Sequence, residues 1–188
     1  LVERARSLKL GDGLVEGIDV GPAVSEMQMR KDLEYIEVGR KEAKLLCGGD
    51  RPGGPLAKGY FVSPTVFDHV TKEMRIAQEE IFGPITCVIR VKSFEEAVEV
   101  ANSVKFGHQS ALFSSDPSRL HRFVDEVEVG GVHLNSATIG GEAHLPFGGM
   151  KATSVGTREM GSVAVDFYTE LKTVYVDYTG QKRTTSFY

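Results

Sequence analysis

From Lys44 to Asn135 short apolar runs alternate with amphipathic segments, and this order limits the fold more than any other feature of the chain. Lys44-Leu45-Leu46-Cys47, the β-branched run Ile85 to Val91, Ser110 to Ser114 and Val132-His133-Leu134-Asn135 all read as strands. Between them lie segments with helical start signals. Ser93 with Glu96 forms one capping box, for a helix through about Asn102. Asp116-Pro117 places an N-cap before a proline at the first helical position, for a helix to about Glu126. Strand–helix alternation of this kind predicts an α/β fold, a largely parallel sheet flanked by helices.

The flanks follow the same logic. Val2 to Leu10 reads as the end of a helix, stopped by Gly11 and Gly13. Ser25 opens a capping box with Gln28, and Met29, Leu33, Ile36 and Arg40 recur at helical spacing, so residues 26 to 42 form an amphipathic helix. Residues 50 to 59 hold three Gly and two Pro and form a surface loop. Tyr60-Phe61-Val62 and Thr65-Val66-Phe67 flank Pro64, which predicts at best an edge or broken strand. Lys72 to Gln78 is a short helix, and Thr157 to Val165 a second. Leu171 to Val176 alternates as a strand, followed by a polar tail from Thr179.

Composition removes several classes of function. The 188 residues are 41% hydrophobic and 26% charged, with a net charge of −4 and no basic cluster, so no footprint for nucleic acid is expected. No apolar run approaches membrane-spanning length, and no membrane partner is expected. The start, Leu1 to Arg6, is charged, lacks Met and opens inside a helix-like segment, which predicts a piece of a longer chain. Cys47 and Cys87 lie in strand-like runs, as suits reduced thiols in a cytoplasmic protein, and nothing asks for a disulfide. The five His residues are too scattered for a zinc site, and no metal is expected. Neither a dinucleotide fingerprint nor a P-loop is present.

Three stretches carry candidate chemistry. Glu79-Glu80-Ile81-Phe82-Gly83-Pro84 runs two carboxylates and an aromatic into a Gly-Pro break just before a core strand. A carboxylate matches the vicinal hydroxyls of a ribose, and a Phe packs on a flat heteroaromatic ring; the bland alternative is two solvated acids and a core plug. Asn135 ends a strand before a Gly-rich loop, where its amide serves an oxyanion or caps the loop. Pro146-Phe147-Gly148-Gly149-Met150-Lys151 turns tightly, with its ring either in a cleft or in the core.

Together these resemble the aldehyde dehydrogenase superfamily. The matching residues are Glu79 to Pro84 with the strand after it, Ala101-Asn102 with Phe106-Gly107, and Gly131-Val132 with Asn135. Pro146 to Gly149 with Lys151, Arg158-Glu159 with Gly161, Val20-Gly21-Pro22, and Gly59 to Val62 with Pro64 to Val66 complete the set. The resemblance reaches to about Asp177. It implies that residues 1–151 are the C-terminal part of a catalytic domain, and residues 152–188 a helix, an oligomerisation strand at 171–176 and a tail.

By the same resemblance the intact enzyme oxidises an aldehyde with NAD or NADP through a cysteine thioester, which a Glu-activated water hydrolyses. Glu80 holds the nicotinamide-side ribose, Phe82 sits against that end of the cofactor, Phe147 lines the aldehyde pocket, and Asn135 shapes the substrate entrance. The family's nucleophilic Cys and general-base Glu precede this stretch, so no catalytic residue is expected here and the chain alone is expected to be inactive. Cys47 and Cys87 lie in no family active-site signature. The loop Thr138 to Leu145 resembles members acting on acid semialdehydes, with His144 and Glu142 reading a substrate polar group or serving on the surface. Ser154 stands where relatives carry a glycine. A homo-oligomer is implied by the last strand. The alternatives are a stand-alone, non-catalytic interaction module, and an acylating or phosphorylated-substrate reductase of the same superfamily.

Overall fold

A computed structural model describes residues 1–156 and 158–181. The helices are α1 (Val2–Ser7), α2 (Glu26–Glu42), α3 (Arg75–Gln78), α4 (Phe94–Asn102), α5 (Pro117–Glu126) and α6 (Val163–Tyr168). The strands are β1 (Lys44–Cys47), β2 (Thr65–Val70), β3 (Ile85–Ile89), β4 (Phe106–Gly107), β5 (Gln109–Leu112), β6 (Gly131–Leu134) and β7 (Met150–Lys151). The α/β class read from the sequence is what these residues form. Among the described residues pairing is divided among three sheets: β1-β2-β3, β4-β7 and β5-β6. β2 runs parallel to β3 and β5 parallel to β6, while β1–β2 and β4–β7 are antiparallel.

α2 sets the first layer. Its cap forms on one side only: Ser25 Oγ accepts from Gln28 N at 3.2 Å, while the Gln28 side chain turns to other partners. Met29, Tyr35 and Ile36 bury the apolar face with Phe67, Val70, Ile76 and Ile81. Gly39 in the helix interior has a packing reason, because a Cβ there would lie 2.5 Å from the fully buried Phe67 ring. The helix gives up roughly 1 kcal/mol of propensity at that position, against about 1.5–3 kcal/mol for burying a Phe side chain.

The strand around Pro64 departs from expectation. β2 is the central strand of its sheet, with Thr65, Val66, Phe67, Asp68 and Val70 all buried. Pro64 stands one residue before it and removes no ladder bond; Thr65 N donates to Pro84 O at 2.9 Å. Residues 60 to 62 are not in a strand.

A second cluster, Val98, Phe123, Val127 and Val129, joins α4 and α5 to β5 and β6. Asp116 Oδ1 caps α5 by accepting from Ser118 N at 2.9 Å. Ser93 Oγ caps α4 by accepting from Glu96 N at 3.1 Å, and the Glu96 carboxylate reaches past the cap to Lys92 N at 2.6 Å. Lys151 Nζ donates to the carbonyls of Asn102 at 2.8 Å and Val104 at 3.1 Å, a cation at a helix C-terminus.

The C-terminal expectations shift. The helix expected from Thr157, itself outside the described residues, begins at Val163. Residues 171 to 176 pair with no strand among the described residues; Leu171 is 102% and Tyr175 81% exposed. A strand needs a neighbour for its N–H and C=O groups, and no element of the described chain offers one. Of the polar tail, residues 182–188 lie outside the described residues. No helix among the described residues is long and apolar enough to cross a membrane.

Candidate functional site

The turn from Glu79 to Pro84 leaves α3 and enters β3, and its two acids separate into different roles. Glu79 accepts from Tyr35 Oη at 2.5 Å and from Arg75 Nε at 2.8 Å. The Tyr35 hydroxyl first, and then the Arg75 guanidinium, hold its carboxyl below the usual range. Glu79 thereby ties the end of α3 to α2. Glu80 points outward, and its carboxylate has no hydrogen-bond partner among the described residues. Only its backbone is engaged: Glu80 O accepts from Lys31 Nζ at 2.9 Å.

Ile81 turns inward and is buried, and Phe82 turns out with 76% of its surface exposed. The backbone of Phe82 is left-handed, φ 61°. That region is unfavourable for a bulky L-residue and costs about 1–3 kcal/mol. An exposed ring recovers little of this by packing. Gly83 follows because a Cβ would lie 2.4 Å from Asp32 Oδ1. Beside the turn lies a cleft of about 370 Å³, walled by Gly21, Pro22, Gln28, Asp32, Val62 and Phe82 among others.

Under the turn sits a pair the sequence did not single out. Gln28 Nε2 donates to Asp32 Oδ1 at 2.6 Å, to Ile81 O at 3.1 Å and to Phe82 O at 3.3 Å. Asp32 is wholly buried, and burial pushes its carboxyl up from the ordinary range. Among the described residues its Oδ2 has no partner. A signal was available: Asp32 stands three residues after Met29 and four before Ile36, so a charged residue occupies the apolar stripe of α2.

Of the other nominated residues, Asn135 and the Phe147 turn lie beside β6. Phe147 is half-exposed and stacks edge-on against His108, centroids 4.9 Å apart. Its backbone pairs with Glu159 in an antiparallel bridge. A Cβ on Gly130 would meet Gly148 O at 1.7 Å, so the Phe147 turn lies directly on the chain entering β6. A groove of about 710 Å³ runs past His108, Phe147, Thr153, Glu159 and Phe167. Asn135, φ 55°, accepts from Ser114 N at 2.8 Å and donates to Ser114 O at 3.0 Å. Its amide therefore extends the β5–β6 ladder by one rung. His144 is exposed, as is Glu142. No described hydrogen bond or ring contact joins Glu80 and Phe82 to Phe147, Asn135 or His144.

The thiols are packing residues. Cys47 is buried, and burial pushes the half-buried Cys87 thiol up to about 11, far from a nucleophile's range. Among the described residues no group of His, Cys, Asp and Glu is arranged to hold a metal ion.

The α/β layer presents an outward carboxylate and a left-handed, exposed aromatic beside a cleft. Comparison with known proteins gives the family. The aldehyde dehydrogenase family model matches residues 1–174, and the chain belongs to that family. It is 46% identical over 178 residues to an alpha-ketoglutaric semialdehyde dehydrogenase of Bacillus subtilis, covering 94% of this chain and 36% of that protein. It is 48% identical over 181 residues to an alpha-ketoglutarate semialdehyde dehydrogenase of Haloferax volcanii, covering 95% and 37%. Among solved structures, an aldehyde dehydrogenase variant from Bacillus cereus superposes with a TM-score of 0.87 at 41% identity, covering 93% of this chain and 35% of that one. A betaine aldehyde dehydrogenase of Staphylococcus aureus in complex with NAD+ gives 0.86 at 34% identity, covering 89% and 33%. The chain thus spans about a third of the length of these relatives.

Proposed function

We propose that this chain supplies the C-terminal part of the catalytic domain, residues 1–151, and the subunit-contact segment, residues 152–188, of an NAD(P)-dependent aldehyde dehydrogenase. The observation that carries this reading is the pair Glu80 and Phe82. A carboxylate with no partner among the described residues and an exposed ring stand at the ends of one three-residue turn, and the ring's conformation is strained without being repaid by packing. These residues fit a nicotinamide nucleotide: Glu80 would accept from the ribose hydroxyls, and the Phe82 ring would pack on the nicotinamide end. Bound there, the cofactor supplies the oxidant for converting an aldehyde to a carboxylate. The contribution of this chain is orientation, which holds ring and aldehyde within reacting distance.

Phe147 and the groove beside it line the aldehyde side in this reading, with Asn135 shaping the loop that leads to His144. The substrate class is an acid semialdehyde, supported by the loop Thr138 to Leu145 and by the names of the two semialdehyde dehydrogenases above. In this reading the nucleophile and general base come from outside these 188 residues; of the two thiols here, Cys47 is buried and burial pushes Cys87 up to about 11. Leu171, Val174, Tyr175 and Val176 are exposed and present an apolar strip suited to a second copy.

The test is spectrophotometric. The 188-residue chain, mixed with NAD+ or NADP+ and a semialdehyde of a 2-oxo acid, is expected to give no rise at 340 nm. The complete reading frame that contains it is expected to give one. Aldehyde-dependent reduction by the 188 residues alone would overturn the division of labour, and its absence from the complete protein would overturn the assignment.

A further inference from the structure

We infer that Asp32 is a positioning residue: it holds the Gln28 amide, and Gln28 in turn holds the left-handed Phe82 turn. The chain of contacts is continuous. Asp32 Oδ1 takes one Gln28 donor at 2.6 Å, which fixes the orientation of the side-chain amide. The same nitrogen then reaches Ile81 O at 3.1 Å and Phe82 O at 3.3 Å, on two successive peptides. Those are the peptides that set φ and ψ around Phe82. Asp32 also packs flat against Gly83, where Oδ1, Cγ and Oδ2 all lie within 2.7 Å of a notional Cβ. The carboxylate thus meets the turn directly at Gly83 and reaches Ile81 and Phe82 through the Gln28 amide.

The arrangement is expensive, which is the reason for giving it a purpose. A carboxyl with no exposure keeps Oδ2 without a donor among the described residues, and a buried unpaired oxygen destabilises a fold. A Val or Leu at this place on α2 would continue the apolar stripe of Met29 and Ile36 and pack against the same core. An apolar side chain would also free the Gln28 amide to rotate. Acid at position 32 exchanges core stability for a fixed turn. Such an exchange belongs at a binding site, where strained conformations persist only if their surroundings over-determine them. That the held ring faces a cofactor rests on the reading in the previous subsection; the clamp itself does not require one.

The Gln28 side-chain amide gives a direct signal in a ¹⁵N-labelled sample of the 188-residue chain, with no cofactor present. Its NH₂ pair is expected downfield and slowed in exchange, and Phe82 is expected to have a rigid-backbone order parameter of about 0.85. In Asp32→Val the pair is expected to collapse onto solvent-exposed glutamine positions, and the Phe82 order parameter to fall below about 0.6. Asp32→Asn keeps an acceptor at this place and is expected to restore both signals. Gln28→Met, at a half-buried position, removes the donors without touching the core acid and is expected to loosen Phe82 as Asp32→Val does. Unchanged Gln28 and Phe82 signals in Asp32→Val would overturn the proposal, as would a rigid Phe82 in Gln28→Met. Should Asp32→Val fail to fold, the Gln28→Met and Asp32→Asn pair decides alone. These readouts stand or fall independently of cofactor binding, so failure of the clamp and failure of the functional reading are separable.

Discussion

Replacing Phe82 by glycine tests whether its conformation is held for binding or for stability. The left-handed region itself accounts for roughly 1–2 kcal/mol of the strain on a non-glycine residue, and glycine removes that cost at φ 61°. Against this stands the ring's packing. With 76% of the residue exposed, only about a quarter of its surface is buried, worth roughly 0.5 kcal/mol on a scale of about 1.5–3 for a fully buried Phe. Glycine also raises the entropy of the unfolded chain, a loss of roughly 0.5–1 kcal/mol. The balance lies between about 0.5 kcal/mol against and about 1 kcal/mol in favour of Phe82→Gly, the upper end a rise of up to about 4 °C in Tm for a chain of this size. Phe82→Ala keeps the Cβ and its strain, so it is expected below Phe82→Gly by about 1 kcal/mol. Urea unfolding followed by far-ultraviolet circular dichroism measures both. If Phe82→Gly loses more than about 1.5 kcal/mol, beyond any ring-packing term available to so exposed a residue, then Phe82 is a structural plug and the reasoning fails.

Other expectations follow from single contacts. Gly39→Ala should destabilise by about 1–3 kcal/mol despite alanine's better helix propensity, because its methyl enters the Phe67 ring; a calorimetric Tm at or above wild type would contradict this. The two core acids should respond to pH with opposite sign. Asp68, bound by Arg90 at 2.6 Å and by His69 N, is held at about 2, so its contribution is present above the ordinary carboxylate range and is lost as pH falls toward 2. Asp68→Asn should flatten that acid limb. Asp32 is raised by burial, so the native state binds its proton more tightly, and stability falls as pH rises from the unfolded carboxylate range through the raised native value. The stability of Asp32→Asn relative to wild type should therefore grow with pH across that window, and a difference constant from pH 3 to 8 would refute the assignment. Cys47 is buried and Cys87 is pushed up to about 11, so Ellman's reagent at pH 7 should label neither thiol faster than the chain unfolds.

Local signals in the sequence were faithful where local chemistry decides. Ser25 and Asp116 mark the starts of α2 and α5 because a side-chain oxygen there answers an orphan N–H within three residues. The signal failed where a distant partner decides. Pro64 reads as a strand breaker, yet it precedes a central strand whose first N–H is taken by Pro84, twenty residues on. Residues 171 to 176 alternate correctly for a strand, and among the described residues nothing pairs with them. Glu79 and Glu80 are indistinguishable as letters. They part only because the chain brings Tyr35 and Arg75 to the first and nothing among the described residues to the second. Asn135 was legible as either a ligand donor or a loop cap, and Ser114 occupies both ends of its amide. Asp32 showed only as a charge on an apolar stripe; its tie to Phe82 runs through Gln28 and crosses more than fifty residues of sequence.

That parting of neighbouring acids gives the most direct test of the whole account. In the complete reading frame containing this chain, Glu80→Gln removes the charge that would hold a ribose, and Glu79→Gln removes the tie between α3 and α2. Steady-state kcat/KM for the nicotinamide cofactor is expected to drop roughly 10- to 100-fold in Glu80→Gln, as for lost hydrogen bonds to a charged acceptor, with Tm unchanged. Glu79→Gln is expected to lower Tm and leave the cofactor's kcat/KM within about threefold, a small fraction of the effect on the neighbouring acid. A cofactor kcat/KM unchanged in Glu80→Gln, or reduced more in Glu79→Gln, would contradict the account.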